Sequence, residues 1–252
     1  MSFDVPADAY LRFMGRWSAP LTTEFLAAAD LHATGPVLDV GCGPGVLTTV
    51  LVERLGSSAV TAIDPSPSFV AATSELFPGM DVRQGVAEAL PYDDASFDAA
   101  LAQLVVHFMS DPVTGFREMG RVTRPDGVVA ACVWDHAGGG SPLSLFWSAV
   151  QDIDPAAPTE ADLPGTRDGQ LASYAREAGL HDITSSALTV RARFESYYEW
   201  WAPYLFGVGP LGDYVSTLDA DHLSTLKERC RQLLPPAPFD QPAVAWCVRA
   251  LA

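Results

Sequence analysis

The sequence predicts an α/β fold: a doubly wound sheet of seven strands, the last one antiparallel, with a helical cap inserted between strands six and seven. Between residues 35 and 134, short apolar runs alternate with helix-length segments in the order βαβαβαβαβ, which is typical of a parallel sheet covered by helices. Proline-rich and aromatic segments follow and favour a cap. A chain of 252 residues is long enough for this arrangement.

The individual elements follow from apolar runs and turn residues. An N-terminal helix is predicted over residues 10–29, broken near Gly15 and at Pro20. Further helices are expected at 46–55, 69–77, 112–122, 143–151, 171–178 and 218–234, and strands at 37–40, 59–63, 80–85, 99–102, 128–134, 180–190 and 243–249.

A glycine-rich turn after the first predicted strand is the clearest functional signal. The strand contains Asp39, and glycine then stands at every second position, as Gly41, Gly43 and Gly45. Glycine has no Cβ, so a ligand could approach the bare backbone here. The helix that follows would offer its unpaired N–H groups to the same ligand.

The residues around this turn indicate which class of nucleotide-like ligand it could bind. A dinucleotide fingerprint needs glycine or alanine where Val46 stands, and a phosphate loop needs a lysine that is not near. Asp39 repels phosphate and attracts a cation. The cationic nucleoside that fits is S-adenosylmethionine. A turn without any ligand is disfavoured, since three glycines would weaken a helix start for no gain in packing.

A second acid, Asp64, ends the next predicted strand. It comes 23 residues after Gly41, and a carboxylate at the end of this strand can accept hydrogen bonds from both ribose hydroxyls. The alternative is a helix cap, because Asp64 also precedes a Pro-Ser-Pro-Ser segment. The ribose role is favoured, with Pro65 and Ser66 on the adenine side.

The motif Asp39-x-Gly-x-Gly-x-Gly and the stretch Ala87-Glu-Ala-Leu-Pro-Tyr92 resemble the class I S-adenosylmethionine-dependent methyltransferases of the small-molecule, methyltransferase type 11-like kind. The resemblance covers residues 10–135 by motif. It implies a Rossmann-like sheet, S-adenosylmethionine as cofactor, and in-line transfer of its methyl group to an O, N or C nucleophile of a small-molecule acceptor.

The resemblance also implies a cofactor site. Tyr10 and Arg16 would contact the methionine carboxylate, and Val86 replaces the aspartate that usually takes the adenine amino group. Glu88 has the pattern of a solvated helix residue that lies nearby. The full implied set is Tyr10, Arg16, Asp39, Gly41, Cys42, Gly43, Asp64, Pro65, Ser66, Val86, Ala87, Glu88 and Gln103.

Two histidines are candidates for acid–base work. His107 follows the end of the fourth predicted strand, and His136 follows the end of the fifth. An imidazole titrates in a useful range for a general base. The alternative for His107 is an ordinary histidine of the core or of a helix start.

The domain plan places an N-terminal helical lid at 1–34 and the methyltransferase domain at 35–252, with cap segments at about 136–168 and 195–238. The alternative for the lid is a helix packed on the sheet edge. Aromatic residues of the cap would suit a small apolar acceptor, although ordinary core packing would also explain them. The pocket candidates are Trp134, Phe146, Trp147, Trp200 and Tyr204.

Composition limits the partners. The net charge is −16, with 15 basic and 31 acidic residues, which disfavours nucleic acid and anionic membranes. The four cysteines have no metal-binding spacing, so no metal is expected. With no signal-peptide pattern, a cytoplasmic monomer or homodimer is expected. The alternative functions are a non-catalytic S-adenosylmethionine-binding or regulatory protein and, disfavoured by Val46, a nicotinamide-dependent oxidoreductase.

Overall fold

The computed structural model describes residues 6–33 and 35–252, whose seven strands form one sheet. Residues 1–5 and 34 of the predicted lid lie outside the described residues. In chain order the strands are β1 (Val37–Val40), β2 (Val60–Asp64), β3 (Asp81–Gln84), β4 (Phe97–Gln103), β5 (Thr123–Trp134), β6 (His181–Phe194) and β7 (Phe239–Leu251).

The strand order across the sheet is β3-β2-β1-β4-β5-β7-β6. Strands β1 to β5 pair in parallel, whereas β7 is antiparallel to both of its neighbours. The chain winds outward in one direction from β1 and in the other from β4, so the switch point lies between these two strands. Ligands of open α/β sheets bind at the carboxyl ends of strands beside such a point. The predicted fold class is confirmed.

Helices cover both faces of the sheet. One core lies beneath the first, second, fifth and ninth helices, and a second core lies beneath the fourth and sixth. The helices are α1 (Ala7–Ala28), α2 (Val46–Leu55), α3 (Pro67–Leu76), α4 (Pro112–Val122), α5 (Ser144–Ile153), α6 (Gln170–Glu177), α7 (Tyr197–Trp201), α8 (Gly209–Ser216) and α9 (Ala220–Leu233).

Helix α1 is continuous, so the predicted breaks near Gly15 and at Pro20 are wrong. Pro20 has no N–H to donate and leaves the carbonyl of Arg16 without its helical partner. Pro20 lies on the exposed side, whereas the opposite side buries large residues such as Trp17 and Phe25 in the core. Burial of that apolar face outweighs the lost hydrogen bond.

The outer strands are longer than their apolar runs predict. The predicted sixth strand stops at Val190, but β6 continues to Phe194 as buried Ala192 and Phe194 alternate with exposed arginines. Such alternation is what a half-buried strand requires. β7 pairs with β6 up to Phe239. Strand β5 also begins early, at Thr123, and the Pro-Asp-Gly turn forms an irregularity within it, where Asp126 has φ of 62°.

The cap draws on two connections. Helices α7, α8 and α9 lie between β6 and β7, and α5 comes from the connection between β5 and β6. Arg229 of α9 holds α5, with its Nη2 2.6 Å from Oδ2 of Asp152. The boundaries assigned to the lid, domain and cap segments stay a prediction.

Candidate active site

The glycine turn after β1 has three left-handed residues, with φ of 70° at Gly41, 54° at Gly43 and 89° at Gly45. A Cβ on Gly41 would lie 2.4 Å from Cγ2 of Val105, so packing demands glycine there. A Cβ on Gly43 would meet no atom within 4 Å. Gly41 is therefore required by its neighbours, whereas Gly43 presents open backbone to whatever lies above the turn.

Asp64 fastens this turn to β2. Its Oδ2 accepts a 2.8 Å hydrogen bond from the N–H of Gly43, and its Oδ1 accepts one of 2.8 Å from the N–H of Ser66. The hydroxyl of Thr73 donates to the carbonyl of Gly43 at 2.9 Å. Each carboxylate oxygen of Asp64 keeps a second acceptor position. Asp64 can therefore hold the backbone N–H groups of Gly43 and Ser66 and still accept hydrogen bonds from a ligand.

Two buried carboxylates share the site. Asp39 is 1% exposed, and burial raises its pKa to about 7, against the lowering effect of the 2.6 Å hydrogen bond from Thr48. The charge of Asp64 raises the pKa of Asp39 further, and burial also raises the pKa of Asp64 itself. Two acids held in a low-dielectric place favour a cationic ligand.

A cleft with about 700 Å³ of empty space lies over the carboxyl ends of β1, β2 and β4. Eight predicted cofactor residues line it, namely Tyr10, Asp39, Gly41, Cys42, Gly43, Asp64, Pro65 and Gln103. The other lining residues, which no sequence motif assigned to the cofactor, are Ser18, Pro44, Val46, Leu47, Phe69, Leu104, Val105 and Phe108.

Helix α1 forms one side of the cleft. Tyr10 packs edge-on against Phe69 at 5.4 Å between ring centroids, and burial together with the charge of Asp64 raises the pKa of Tyr10 to about 12. The side-chain N–H of Gln103 donates to the carbonyl of Ser18 at 3.2 Å. Within the described chain, the buried Oε1 of Gln103 has no hydrogen-bond partner, so it is an acceptor available to a ligand.

A second cavity, here called the chamber, holds about 430 Å³ of empty space and adjoins the cleft. Tyr10, Leu104 and Phe108 line both spaces, and the boundary that they form is here called the neck. Apolar side chains of α1 and α8 make much of its wall. Besides Tyr10, the lining residues that carry polar side-chain atoms are His107, Trp134, His136 and Glu160.

The two histidines of the chamber are neutral at pH 7. Burial and the neighbouring His136 lower the pKa of His107 well below its usual range, and burial lowers that of His136 to about 4. Their ring centroids are 5.8 Å apart. Three buried atoms here lack a hydrogen-bond partner among residues 6–33 and 35–252: Nδ1 of His107, Nε2 of His136 and Nε1 of Trp134. These groups can receive the polar part of a ligand.

Comparison with known proteins identifies the scaffold. Residues 38–131 match the family model of a methyltransferase domain. An uncharacterized methyltransferase of Mycobacterium tuberculosis is 38% identical over 136 residues, which cover 54% of this chain and 52% of that protein. The rice chloroplastic 2-methyl-6-phytyl-1,4-hydroquinone methyltransferase 2 is 34% identical over 122 residues, 47% of this chain and 34% of that protein. Residues 38–131 therefore resemble a methyltransferase domain, in agreement with the motifs of the sequence.

Solved structures agree with this methyltransferase fold. An S-adenosylmethionine-dependent methyltransferase of Thermotoga maritima, titled a possible histamine N-methyltransferase, superposes with a TM-score of 0.58. The match covers 97% of this chain and 94% of that one at 16% identity, which concerns the fold alone. The chain spans about half the length, or less, of the two curated relatives named above.

Arg16 lies outside the methyltransferase cleft, contrary to the expectation that it reaches the cofactor's carboxylate. It pairs with Glu199, donates to the carbonyl of Arg193 at 2.6 Å and stacks over Phe194. Arg193 and Phe194 belong to β6, and Glu199 belongs to α7 of the cap. Arg16 therefore links α1 to β6 and to the cap, and its guanidinium is already occupied.

Four other predicted cofactor residues do not line the cleft. Val86 is 45% exposed, whereas Ala87 and Ser66 are buried. Glu88 accepts backbone hydrogen bonds from Ser110 at 2.7 Å and from Asp111 at 3.3 Å, so it fastens the start of α4. The predicted ligand role of Glu88 is not supported by this geometry.

Of the five aromatic residues predicted for the acceptor pocket, only Trp134 lines the chamber. Phe146 packs 4.9 Å from Tyr204, and Trp147 donates to Glu160 at 2.6 Å. Trp200 donates to Gln241 at 2.7 Å and, with Tyr204, lines a separate cavity of about 380 Å³ beside Arg16. These four rings belong to the hydrophobic core, and none of them lines the chamber.

Glu160 is the polar residue that the sequence did not reveal. It stands in a proline-rich acidic segment that reads as a solvated loop, yet it is 4% exposed. No local signal distinguishes it from its acidic neighbours. Among the described residues, no group of three or more histidine, cysteine or acidic side chains could hold a metal ion. Nor, in that same part of the chain, is any helix both long and apolar enough to cross a membrane.

Proposed function

We propose that this protein transfers a methyl group from S-adenosylmethionine to a small-molecule acceptor. The observation that carries the proposal is one continuous arrangement: two buried carboxylates flank the glycine turn, and their cleft adjoins a chamber with unpaired imidazole nitrogens. The match of residues 38–131 to a methyltransferase domain supports the choice of cofactor.

The cleft residues fit the cofactor group by group. The free acceptor positions of Asp64 suit the ribose hydroxyls, and Asp39 supplies negative charge for a cation. The unpartnered Oε1 of Gln103 suits an ammonium group. Gly43 leaves room for close approach to the backbone. When bound, S-adenosylmethionine supplies a methyl group that is already activated as a sulfonium.

The protein's own contribution to the reaction is proximity, orientation and water exclusion. The acceptor would lie in the chamber and present its nucleophilic atom at the neck. Bound in the cleft, the cofactor would supply its methyl group to that atom, and S-adenosylhomocysteine would leave with the electron pair of the broken carbon–sulfur bond. His107, which adjoins neck residue Phe108 in the sequence and has an unpartnered Nδ1, would take the acceptor's proton. The positive charge lost from the sulfonium would then reappear on this imidazole, so the charge of the site would be conserved.

The net charge of −16 favours a free small molecule over nucleic acid or an anionic membrane surface. A cytoplasmic location and a monomeric or homodimeric state belong to the same proposal. Sedimentation velocity tests the oligomeric state. A filter-binding titration with RNA and DNA, expected to show no retention at physiological salt, tests the partner class.

Calorimetric titration with S-adenosylmethionine and S-adenosylhomocysteine, with NAD as the control, tests the cofactor. Binding of both adenosyl compounds without binding of NAD is expected. Product mass spectrometry over a panel of phenols, amines and carboxylic acids then distinguishes an enzyme from a non-catalytic binding protein. A mass gain of one methyl group on an acceptor is expected. Failure to bind either adenosyl compound contradicts the proposal.

A further inference from the structure

The described lining of the chamber contains an acidic side chain but no lysine or arginine. Glu160 is the single carboxylate among these described residues. The two histidines add no positive charge at pH 7, because burial lowers their pKa values. An anionic acceptor would therefore find no cation in this space, whereas a cationic one would find an acid.

Glu160 is held in a fixed position. Its Oε2 accepts a 2.6 Å hydrogen bond from the indole N–H of Trp147. Thr159 caps the short turn that carries it, and the hydroxyl of Thr166 donates to the carbonyls of Ala161 and Leu163 at 2.9 and 2.8 Å. A carboxyl group so held needs little reordering to meet a ligand.

The second oxygen of Glu160 is available. Within the described chain no hydrogen bond reaches its Oε1, although the side chain lines the chamber. Burial raises the pKa of Glu160 to about 7, which is the signature of an acid that lacks a positive partner. A ligand cation would provide the missing partner.

We infer that Glu160 is the specificity-determining residue of the acceptor chamber and that its Oε1 receives the ammonium group of an otherwise apolar, amine-bearing acceptor. This inference rests on the proposed function, because it takes the chamber as the acceptor site. Glu160 lines the chamber but not the cleft, so it holds a group remote from the neck. The atom that receives the methyl group lies at the other end of the acceptor.

Three probes with the same phenol ring and different tails test the inference: tyramine, 4-ethylphenol and 3-(4-hydroxyphenyl)propanoate. They are titrated calorimetrically into protein saturated with S-adenosylhomocysteine. The expected order of affinity is tyramine, then 4-ethylphenol, then the propanoate. A charged hydrogen bond to Glu160 should favour tyramine over 4-ethylphenol by on the order of 10- to 100-fold.

Glu160→Gln removes the charge and keeps an amide oxygen for Trp147. It should lower the affinity for tyramine by about 10-fold or more, whereas the affinity for 4-ethylphenol should stay within about 2-fold of that of the parent protein. Asp162→Asn is the matched control, since it removes an exposed carboxylate from the same turn. It should leave all three affinities unchanged.

Equal affinity for the three probes, preference for the anion, or no binding of any probe would overturn the inference, as would an unchanged tyramine preference in Glu160→Gln. The ranking in the parent protein does not depend on how well the variant folds. The binding of S-adenosylhomocysteine, measured before any probe is added, tests the proposed function independently of Glu160. If S-adenosylhomocysteine does not bind, the proposed function fails; if it binds and the probes show no cation preference, only the assignment of Glu160 fails.

Discussion

The carboxylate of Asp64 accepts a 2.8 Å hydrogen bond from the backbone N–H of Gly43, and through it the end of β2 holds the glycine turn that follows β1. The same carboxylate accepts the N–H of Ser66 at 2.8 Å. Asp64 thus fixes the shape of the cleft as well as offering acceptor positions to a ligand. Its replacement should disturb both.

Asp64→Ala should abolish measurable binding of S-adenosylhomocysteine, because it removes the proposed ribose acceptor and frees the N–H of Gly43. Leaving that half-buried N–H unpaired should also lower the free energy of unfolding by about 1 kcal/mol. Calorimetric titration at a temperature where the variant is folded makes the measurement. Asp93→Ala, an exposed turn residue, is the control. Undiminished affinity in Asp64→Ala would remove the basis of the proposed function.

Alanine at two glycines of the turn should give opposite defects. Gly41→Ala should destabilise the fold by more than about 2 kcal/mol, since its Cβ would collide with Val105 at a φ of 70°. Gly43→Ala should cost about 1 kcal/mol for its left-handed backbone and should mainly weaken cofactor binding. Denaturant unfolding and calorimetry separate the two effects. Val105→Ala should restore part of the stability of Gly41→Ala, and the absence of such rescue would contradict the steric cause.

The pKa of Asp39 predicts a pH-dependent preference for the charged cofactor. Because this carboxyl has a pKa of about 7 rather than 3.8, it becomes an anion as the pH rises through 7. Affinity for cationic S-adenosylmethionine should therefore rise relative to that for neutral-sulfur S-adenosylhomocysteine between pH 6 and 8. Asp39→Asn, which keeps an oxygen for Thr48, should flatten the ratio. An unchanged profile in the variant would assign the dependence to another group.

The same group affects stability in a defined direction. The folded protein binds a proton at Asp39 that the unfolded chain releases above pH 3.8, so this contribution to stability falls as the pH rises from about 4 to 7. The loss amounts to roughly 4 kcal/mol across that window. Denaturant unfolding of Asp39→Asn and of the parent at several pH values isolates the contribution of Asp39 to the free energy of unfolding. If the variant and the parent show the same pH dependence of stability, Asp39 does not make this contribution.

The His136 ring should stay neutral in mildly acidic solution. Burial lowers its pKa to about 4, so its ring carbon and proton resonances should not shift between pH 8 and 5.5. The unfolded chain would protonate this ring near pH 6.5, so its contribution to stability is lost as the pH falls from 6.5 towards 4. NMR of specifically labelled histidine tests this, with His136→Gln assigning the signal. A titration of the His136 resonances with a midpoint above pH 6 would mean that water reaches this ring in the chamber.

Arg16→Gln should leave the affinity for S-adenosylhomocysteine within about 2-fold of the parent. Its ion pair with Glu199 is partly exposed, so the free energy of unfolding should fall by only about 0–1 kcal/mol. Calorimetry and denaturant unfolding measure the two quantities, with Glu199→Gln as the matched variant. A loss of affinity of more than 10-fold would indicate that Arg16 contacts the cofactor after all.

Local pattern was sufficient for the sheet and the glycine turn. Four consecutive residues, Val37–Val40, are all buried, and an apolar run of this kind predicts a central strand without reference to the rest of the chain. Asp39, Gly41 and Gly43 lie within six residues of that strand, so their place in the cleft follows from chain connectivity. Asp64 joins them because parallel strands bring their carboxyl ends to one edge.

The sequence by itself determined the positions of the strands, the acid-led glycine turn and the second acid, since each depends on neighbours within a few residues. The predicted helix–strand alternation is wrong at one point, because no helix of the described chain lies between β3 and β4. Tertiary structure decided that α1 runs unbroken past Pro20, that Arg16 pairs with Glu199, and that Glu160 is buried in the chamber. Those outcomes depend on which distant surfaces meet: the partner of Arg16 stands 183 residues away. Burial places an acidic residue of an ordinary loop in the wall of the chamber and raises its pKa to about 7, and no local pattern encodes burial of that kind.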